Sequence, residues 1–126
     1  MKNGKHVILC IDDDNDFLDS MRIILEANQY VMETANSAEE GVKRYKEVKP
    51  DLIVVDLMME EIDAGTAFVR EVRALGGVTP PIYMLSSMGD NLNLNVDYSE
   101  LGLAGVLQKP INPPTLLSAL KARLGK

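Results

Sequence analysis

The sequence has few features of a secreted or membrane-bound protein. It contains one cysteine, Cys10, so no disulfide can form within the chain, which agrees with a reducing compartment. Cys10 lies in an apolar run, where packing is a commoner role for cysteine than redox chemistry. No apolar run approaches the roughly 18 residues of a membrane-spanning helix, and the N-terminus shows no signal-peptide pattern. These absences predict a cytoplasmic protein that has no membrane partner.

An excess of positive charge is also absent. The 13 lysine and arginine residues are outnumbered by 19 aspartate and glutamate residues, which gives a net charge of −6. Proteins that bind nucleic acids or anionic membranes use basic surfaces to neutralise phosphates, so we expect protein partners and no direct contact with nucleic acid. Part of the negative charge is concentrated in Asp12, Asp13 and Asp14. Such a cluster costs stability by mutual repulsion unless a cation offsets it.

Apolar runs and helical patterns alternate along the chain. Its 126 residues suit one domain, and we predict a single domain over residues 1–126 with no separate output domain. Alternation of this kind predicts a parallel sheet covered by helices, with the continuous first and third runs at its centre and the mixed second run at an edge. The predicted strands are His6–Ile11, Tyr30–Ala35, Leu52–Val55, Ile82–Leu85 and Gly105–Gln108.

Four helices are predicted from capping residues and apolar spacing. Asp14 or Asn15 can cap the first, Ser37 the second and Asn112 the last. Residues 91–98 alternate polar and apolar side chains, although a crossover between parallel strands needs a helix, so we expect a short or displaced helix within residues 89–101. The predicted buried stripes are Phe17, Met21, Ile24 and Leu25 in the first helix, Phe68, Val72 and Leu75 in the third, and Leu116, Leu117, Leu120 and Leu124 in the last.

Five polar residues follow the predicted strands at their carboxyl ends, where open parallel sheets gather functional groups. Clustered carboxylates are natural ligands of Mg²⁺. With the cation bound, Asp56 can act as the nucleophile toward a phosphoryl group, while Lys109 and Ser86 stabilise the phosphoryl oxygens. Each residue type alone is common in loops, so only their combination indicates a site. The five residues are Asp12 and Asp13 after the first strand, Asp56 after the third, Ser86 after the fourth and Lys109 after the fifth.

With these motifs the sequence resembles the response-regulator receiver domains of two-component signalling over nearly its full length. The matching segments are Ile8–Asp14, Asp51–Met59, Ser86–Ser87 and Lys109–Pro110. The resemblance implies a flavodoxin-like, doubly wound α/β fold with a five-stranded parallel sheet of order 2-1-3-4-5, five helices on its two faces, and a cis bond before the proline. It also implies Mg²⁺ contacts from Asp13, Asp56 and the backbone carbonyl of Met58, with Asp12 acting through water.

The function that the resemblance implies is that of a phosphoacceptor in a two-component system or phosphorelay. Asp56 would accept its phosphoryl group from a histidine kinase or phosphotransfer protein, and the modified domain would signal to a downstream protein target. A second copy of the chain is a further partner to consider, because homodimers are common among similar domains. Whether the domain counts as an enzyme is left open, since it would catalyse only its own phosphorylation and, because Met58 cannot position a water, a slow dephosphorylation.

Three departures from the family pattern leave an alternative open. Residues 60–65 lack the usual proline and Asp-Gly pair, Val106 replaces an aromatic residue, and residues 89–101 are unusual. Val106 and the altered loop favour a pseudo-receiver, which is an interaction module that works without phosphorylation, whereas the retention of all five site residues speaks against it. A dehalogenase-like phosphatase ranks last, because that family carries its nucleophile on the first strand as Asp-x-Asp-x-Thr, whereas residues 12–16 here are Asp-Asp-Asp-Asn-Asp.

Overall fold

The computed structural model describes residues 2–56, 64–87 and 102–125, which contain five strands and four helices. The predicted helix within residues 89–101 lies outside the described residues. The strands are β1 (Val7–Ile11), β2 (Val31–Ala35), β3 (Leu52–Asp56), β4 (Ile82–Ser87) and β5 (Gly105–Lys109). The helices are α1 (Asn15–Ala27), α2 (Ala38–Val48), α3 (Ala64–Ala74) and α4 (Pro113–Leu124).

All five strands are parallel, and their order in the sheet is β2-β1-β3-β4-β5. This order confirms the predicted α/β fold and places the mixed strand β2 at an edge. Every residue of β1 and of β3 is buried, because both of their faces are covered by helices. The two strands that lead to the acidic residues are therefore the most completely buried part of the sheet.

Each face of the sheet has its own hydrophobic core. Alternate residues of β1 point to opposite faces, with Ile8 and Cys10 in one core and Leu9 and Ile11 in the other. The first core is completed by α1 and α4, and the second by α2 and α3. The helical residues of the first core include Leu18, Met21, Leu25, Leu116 and Leu120, and those of the second include Val42, Phe68, Val69 and Val72.

The first residues of the helices lie close to the carboxyl ends of the strands. The predicted N-caps Ser37 of α2 and Asn112 of α4 are confirmed, and of the two candidates for α1 the N-cap is Asp14. Each of the three accepts a backbone N–H from the first turn. Each of these helices begins within four residues of the preceding strand. Residues of the first helical turns are therefore placed beside the predicted site.

None of the described helices has both the length and the apolar character needed to cross a bilayer.

The predicted buried stripe of α1 was partly wrong. Leu18, Met21 and Leu25 are its buried residues, whereas Phe17 and Ile24 are only partly buried. Leu18 therefore takes the core position that the periodicity assigned to Phe17. The packing of α1 against the sheet turns Phe17 toward the carboxyl edge instead, where its ring lies against Lys109.

The prediction that Leu75 lies in the buried stripe of α3 was also wrong. The helix ends one residue earlier, at Ala74, and the Leu75 residue is 47 % exposed. The next two residues, Gly76 and Gly77, have positive φ angles of 80° and 77°, a conformation that glycine adopts without strain. The chain thus leaves the helical path before Leu75 can pack on the sheet.

The burial of Cys10 predicts that its thiol reacts slowly. The residue is 1 % exposed, and burial raises the pKa of its thiol to about 12. Since thiol reagents attack the exposed thiolate, we expect labelling of the folded protein at neutral pH to be at least about 10³-fold slower than in denaturant, because it requires transient unfolding. Labelling kinetics with an aromatic disulfide reagent measure this ratio. Equal rates with and without denaturant would contradict the burial of Cys10.

Candidate metal and phosphoacceptor site

Three carboxylates meet at the carboxyl edge of the sheet. Asp12 and Asp13 directly follow β1, and Asp56 is the last residue of β3. The two strands are adjacent and parallel, so their ends lie side by side. One carboxylate oxygen of each residue lies within 4.8 Å of those of the other two. The structure thus brings together the three acidic residues that the sequence indicated.

Lys109, at the end of β5, extends to the same cluster. Its Nζ lies 2.6 Å from Asp12 Oδ2 and donates a hydrogen bond of 3.2 Å to Asp56 Oδ2. The contact with Asp12 is a short ion pair. Burial alone would lower the pKa of Lys109, but attraction to Asp12 and Asp56 outweighs it and raises that pKa above its usual value. Lys109 therefore stays charged at physiological pH.

The charges of this cluster do not balance. Asp12 and Asp56 are buried, with 0 % and 4 % exposure, while Asp13 is exposed. Three carboxylates and one ammonium leave a formal charge of −2, and buried charge is costly unless it is compensated. The buried Asp12 Oδ2 is paired with the Lys109 ammonium, and among the described residues no further hydrogen-bond donor reaches it. An oxygen-rich cluster with this charge fits Mg²⁺, which prefers carboxylates, water and phosphate oxygens.

The loop that carries Asp12 is held by backbone and amide hydrogen bonds. The Asp14 N–H donates to Asp12 Oδ1 over 2.9 Å. Asn36, just after β2, donates from its side-chain amide to the Asp12 carbonyl and to Asn15 Oδ1. Asn36 was not among the predicted site residues, although its position at the carboxyl end of a strand was an available signal. These contacts orient the Asp12 carboxylate before any cation binds.

Ser86 lies on the strand adjacent to Asp56. It is 1 % exposed, and it directly follows Leu85, which pairs with Asp56 in the sheet. Its hydroxyl therefore belongs to the same edge of the sheet as the acidic cluster.

Two predicted features lie outside the described residues: the Met58 carbonyl, predicted as a metal ligand, and residues 60–63 of the altered loop. The peptide bond between Lys109 and Pro110 is cis, as the resemblance implied.

Val106, in β5, occupies the position at which the sequence departs from the usual aromatic residue. It is 38 % exposed, so this strand presents a small aliphatic side chain at the surface. The hydroxyl of Ser86 and the side chain of Val106 lie on neighbouring strands. The chain therefore has no aromatic ring at this position to couple to Ser86.

This fold and this site define a receiver domain. Residues 8–121 match the model of the response regulator receiver domain, and the chain belongs to that family. It is 31 % identical over 117 residues to the transcriptional regulatory protein CpxR homolog of Haemophilus influenzae, and 32 % identical over 117 residues to the transcriptional regulatory protein ResD of Bacillus subtilis. These matches cover 93 % of this chain but 49 % and 47 % of the two relatives. The chain thus spans about half the length of these relatives.

Solved structures agree with this assignment. A CheY-like response regulator receiver domain protein from Methanospirillum hungatei has a TM-score of 0.85 and 28 % identity, with 97 % of this chain and 95 % of that chain covered. The chemotaxis protein CheY4 of Vibrio cholerae has a TM-score of 0.84 and 28 % identity, with coverage of 96 % and 100 %. The chain therefore shares the CheY-like, flavodoxin-like fold that its sequence predicted.

Proposed function

We propose that this chain is a Mg²⁺-dependent phosphoacceptor, and that Asp56 receives a phosphoryl group from a histidine kinase or phosphotransfer protein. The observation that carries the proposal is the site of Asp56: a buried carboxylate, 3.2 Å from the Lys109 ammonium, within a cluster whose formal charge of −2 a dication would balance. Membership of the receiver family supports it. A cytoplasmic location fits the single buried cysteine.

The transfer that we propose is a direct displacement at phosphorus. A bond forms between an oxygen of the Asp56 carboxylate and the phosphorus atom while the P–N bond of the donor phosphohistidine breaks, and the leaving imidazole takes up a proton. Mg²⁺, held by Asp12, Asp13 and Asp56, would supply positive charge for the phosphoryl oxygens. Lys109 provides a second cation that is already in place, and Ser86 provides a hydroxyl donor on the neighbouring strand.

Phosphorylation would then act as a signal. The aspartyl phosphate adds negative charge beside Lys109 and draws its ammonium away from Asp12, so it favours one of two pre-existing conformations that a downstream protein senses. Because the chain spans about half the length of its curated relatives, identifying that target requires the whole protein. Homodimer formation on phosphorylation is a second output that light scattering would detect.

The proposal is tested by incubating the protein with Mg²⁺ and acetyl phosphate and measuring its intact mass. We expect one added phosphoryl group on the wild type, none on Asp56→Asn, and none when a chelator removes the cation. The Asp56→Asn variant has nearly the same shape, so it isolates the loss of the nucleophile. An unmodified wild type, or an equal adduct on the variant, would refute the proposal. A wild type that binds no Mg²⁺ by calorimetry would favour the pseudo-receiver.

A further inference from the structure

We propose that Phe17 is a positioning residue for Lys109, and that the face of its ring holds the ammonium beside Asp56 when a dication occupies the acidic cluster. The ring centroid lies 4.5 Å from Lys109 Nζ. This distance is within the roughly 6 Å over which a cation is attracted to the negative face of an aromatic ring. The inference rests on the proposed function of the site and adds a residue to it.

The position of Phe17 is fixed by the acidic loop itself. Phe17 lies in the first turn of α1, and its backbone N–H donates to the side chain of the N-cap residue Asp14 over 3.2 Å. The N–H of Asp14 in turn donates to the Asp12 carboxylate. The ring and the Asp12 carboxylate are thus connected through one short segment of chain, and both contact the Lys109 ammonium. A shift of this segment would move the ring and the Asp12 carboxylate together.

The ring matters most when the cation is bound. In the described structure the ammonium is held by two carboxylates, Asp12 and Asp56. A dication competes for the same oxygens and repels the ammonium by like charge. The ring face is uncharged and is not a ligand that Mg²⁺ prefers, so it remains available to Lys109. The Lys109 side chain is only 16 % exposed, and a desolvated cation is attracted to a ring more strongly than an exposed one.

Ordinary packing is the competing explanation for Phe17, because the side chain is partly buried against the α1 face of the core. The chain offers a matched control, since its only other phenylalanine is Phe68. Phe68 is fully buried in the core on the opposite face of the sheet. Fluorine atoms weaken the negative face of a ring with little change in its size, so they separate attraction to a cation from packing.

The experiment replaces Phe17, and in separate proteins Phe68, with phenylalanines that carry increasing numbers of fluorine atoms. We expect the rate of phosphorylation by acetyl phosphate at saturating Mg²⁺ to fall stepwise with each fluorine at position 17, by about 2- to 30-fold in total. The same series at position 68 should leave the rate unchanged. Equal rates throughout the series at position 17, or an equal decline at position 68, would overturn the inference.

A second measurement does not depend on activity. A ring over the ammonium shifts the NMR signals of the adjacent Lys109 methylene protons upfield, and we expect this shift to persist in the Mg²⁺-bound wild type and to disappear in Phe17→Leu. Identical Lys109 signals in the two proteins would overturn the inference whatever the rates show. If the wild type is not phosphorylated, the proposed function fails, and the NMR comparison alone decides whether the ring positions Lys109.

Discussion

Replacement of Lys109 by methionine is expected to slow phosphorylation of Asp56 by about 10²–10³-fold, the usual cost of losing one charged or hydrogen-bonding group from a transition state. The Lys109 ammonium contacts both Asp12 and Asp56, at 2.6 Å and 3.2 Å. Its loss also removes the cation from two buried carboxylates. We therefore expect the free energy of unfolding without Mg²⁺ to fall by about 3–5 kcal/mol, as when one member of a buried ion pair is removed.

The two effects of Lys109→Met should separate when Mg²⁺ is added. The dication balances the carboxylates and should restore much of the stability, whereas it cannot replace the ammonium as a donor to the phosphoryl group. Urea unfolding with and without Mg²⁺, together with acetyl phosphate kinetics, measures both. Lys121→Met is the matched control, because this lysine is exposed on α4 and should change stability by less than about 0.5 kcal/mol. Full activity of Lys109→Met would contradict the assigned role.

Phe68→Ala is expected to lower the free energy of unfolding by about 3–5 kcal/mol, which is the usual cost of removing a buried aromatic side chain. The ring is fully buried and lies against Gly41 of α2, close to the side chain of Ile11 in β1. The cavity cannot close easily, because Gly41 has no side chain to move into it and β1 is held by neighbours on both sides. Denaturant unfolding measures the loss.

Val78→Ala is the matched control for this prediction. Val78 is 98 % exposed, so its truncation should change stability by less than about 0.5 kcal/mol. Gly41→Ala provides a second check, because a Cβ there would lie 2.8 Å from Ile11 Cδ1 and 3.1 Å from the Phe68 ring, and the space left by the ring would let the end of Ile11 move away. We expect this substitution to be tolerated better in the Phe68→Ala background, with a coupling of about 0.5 kcal/mol or more. Additive effects, or a Phe68→Ala protein as stable as Val78→Ala, would show that the ring does not fill this space.

The acidic half of the site was predictable because it depends on local sequence. Asp12, Asp13 and Asp56 follow runs that are apolar without interruption, and such runs form buried parallel strands whose carboxyl ends share one edge. These runs alone did not predict the order of the strands. That order was predicted from the resemblance to receiver domains. The helices were predicted well at their N-caps, since a cap is a contact between residues two or three positions apart.

The helical faces were predicted less well. Spacing alone could not decide whether Phe17 or Leu18 enters the core, because neighbouring residues on a helix differ by about 100° and both are apolar. The contacts of α1 with the sheet and with α4 decided it. The prediction for Leu75 was wrong for a related reason. The glycines that follow it end α3 before the apolar spacing ends.

The sequence by itself determined the alternation of strands and helices, the burial of β1 and β3, and the presence of acidic residues at their ends, because each follows from residues that are neighbours in the chain. Only the tertiary structure decided that one ammonium contacts both Asp12 and Asp56, and that the ring of Phe17 lies over it. These contacts join β1, β3, β5 and α1. They exist because parallel strands bring the ends of distant segments to one edge, where packing, and not spacing along the chain, sets the distances.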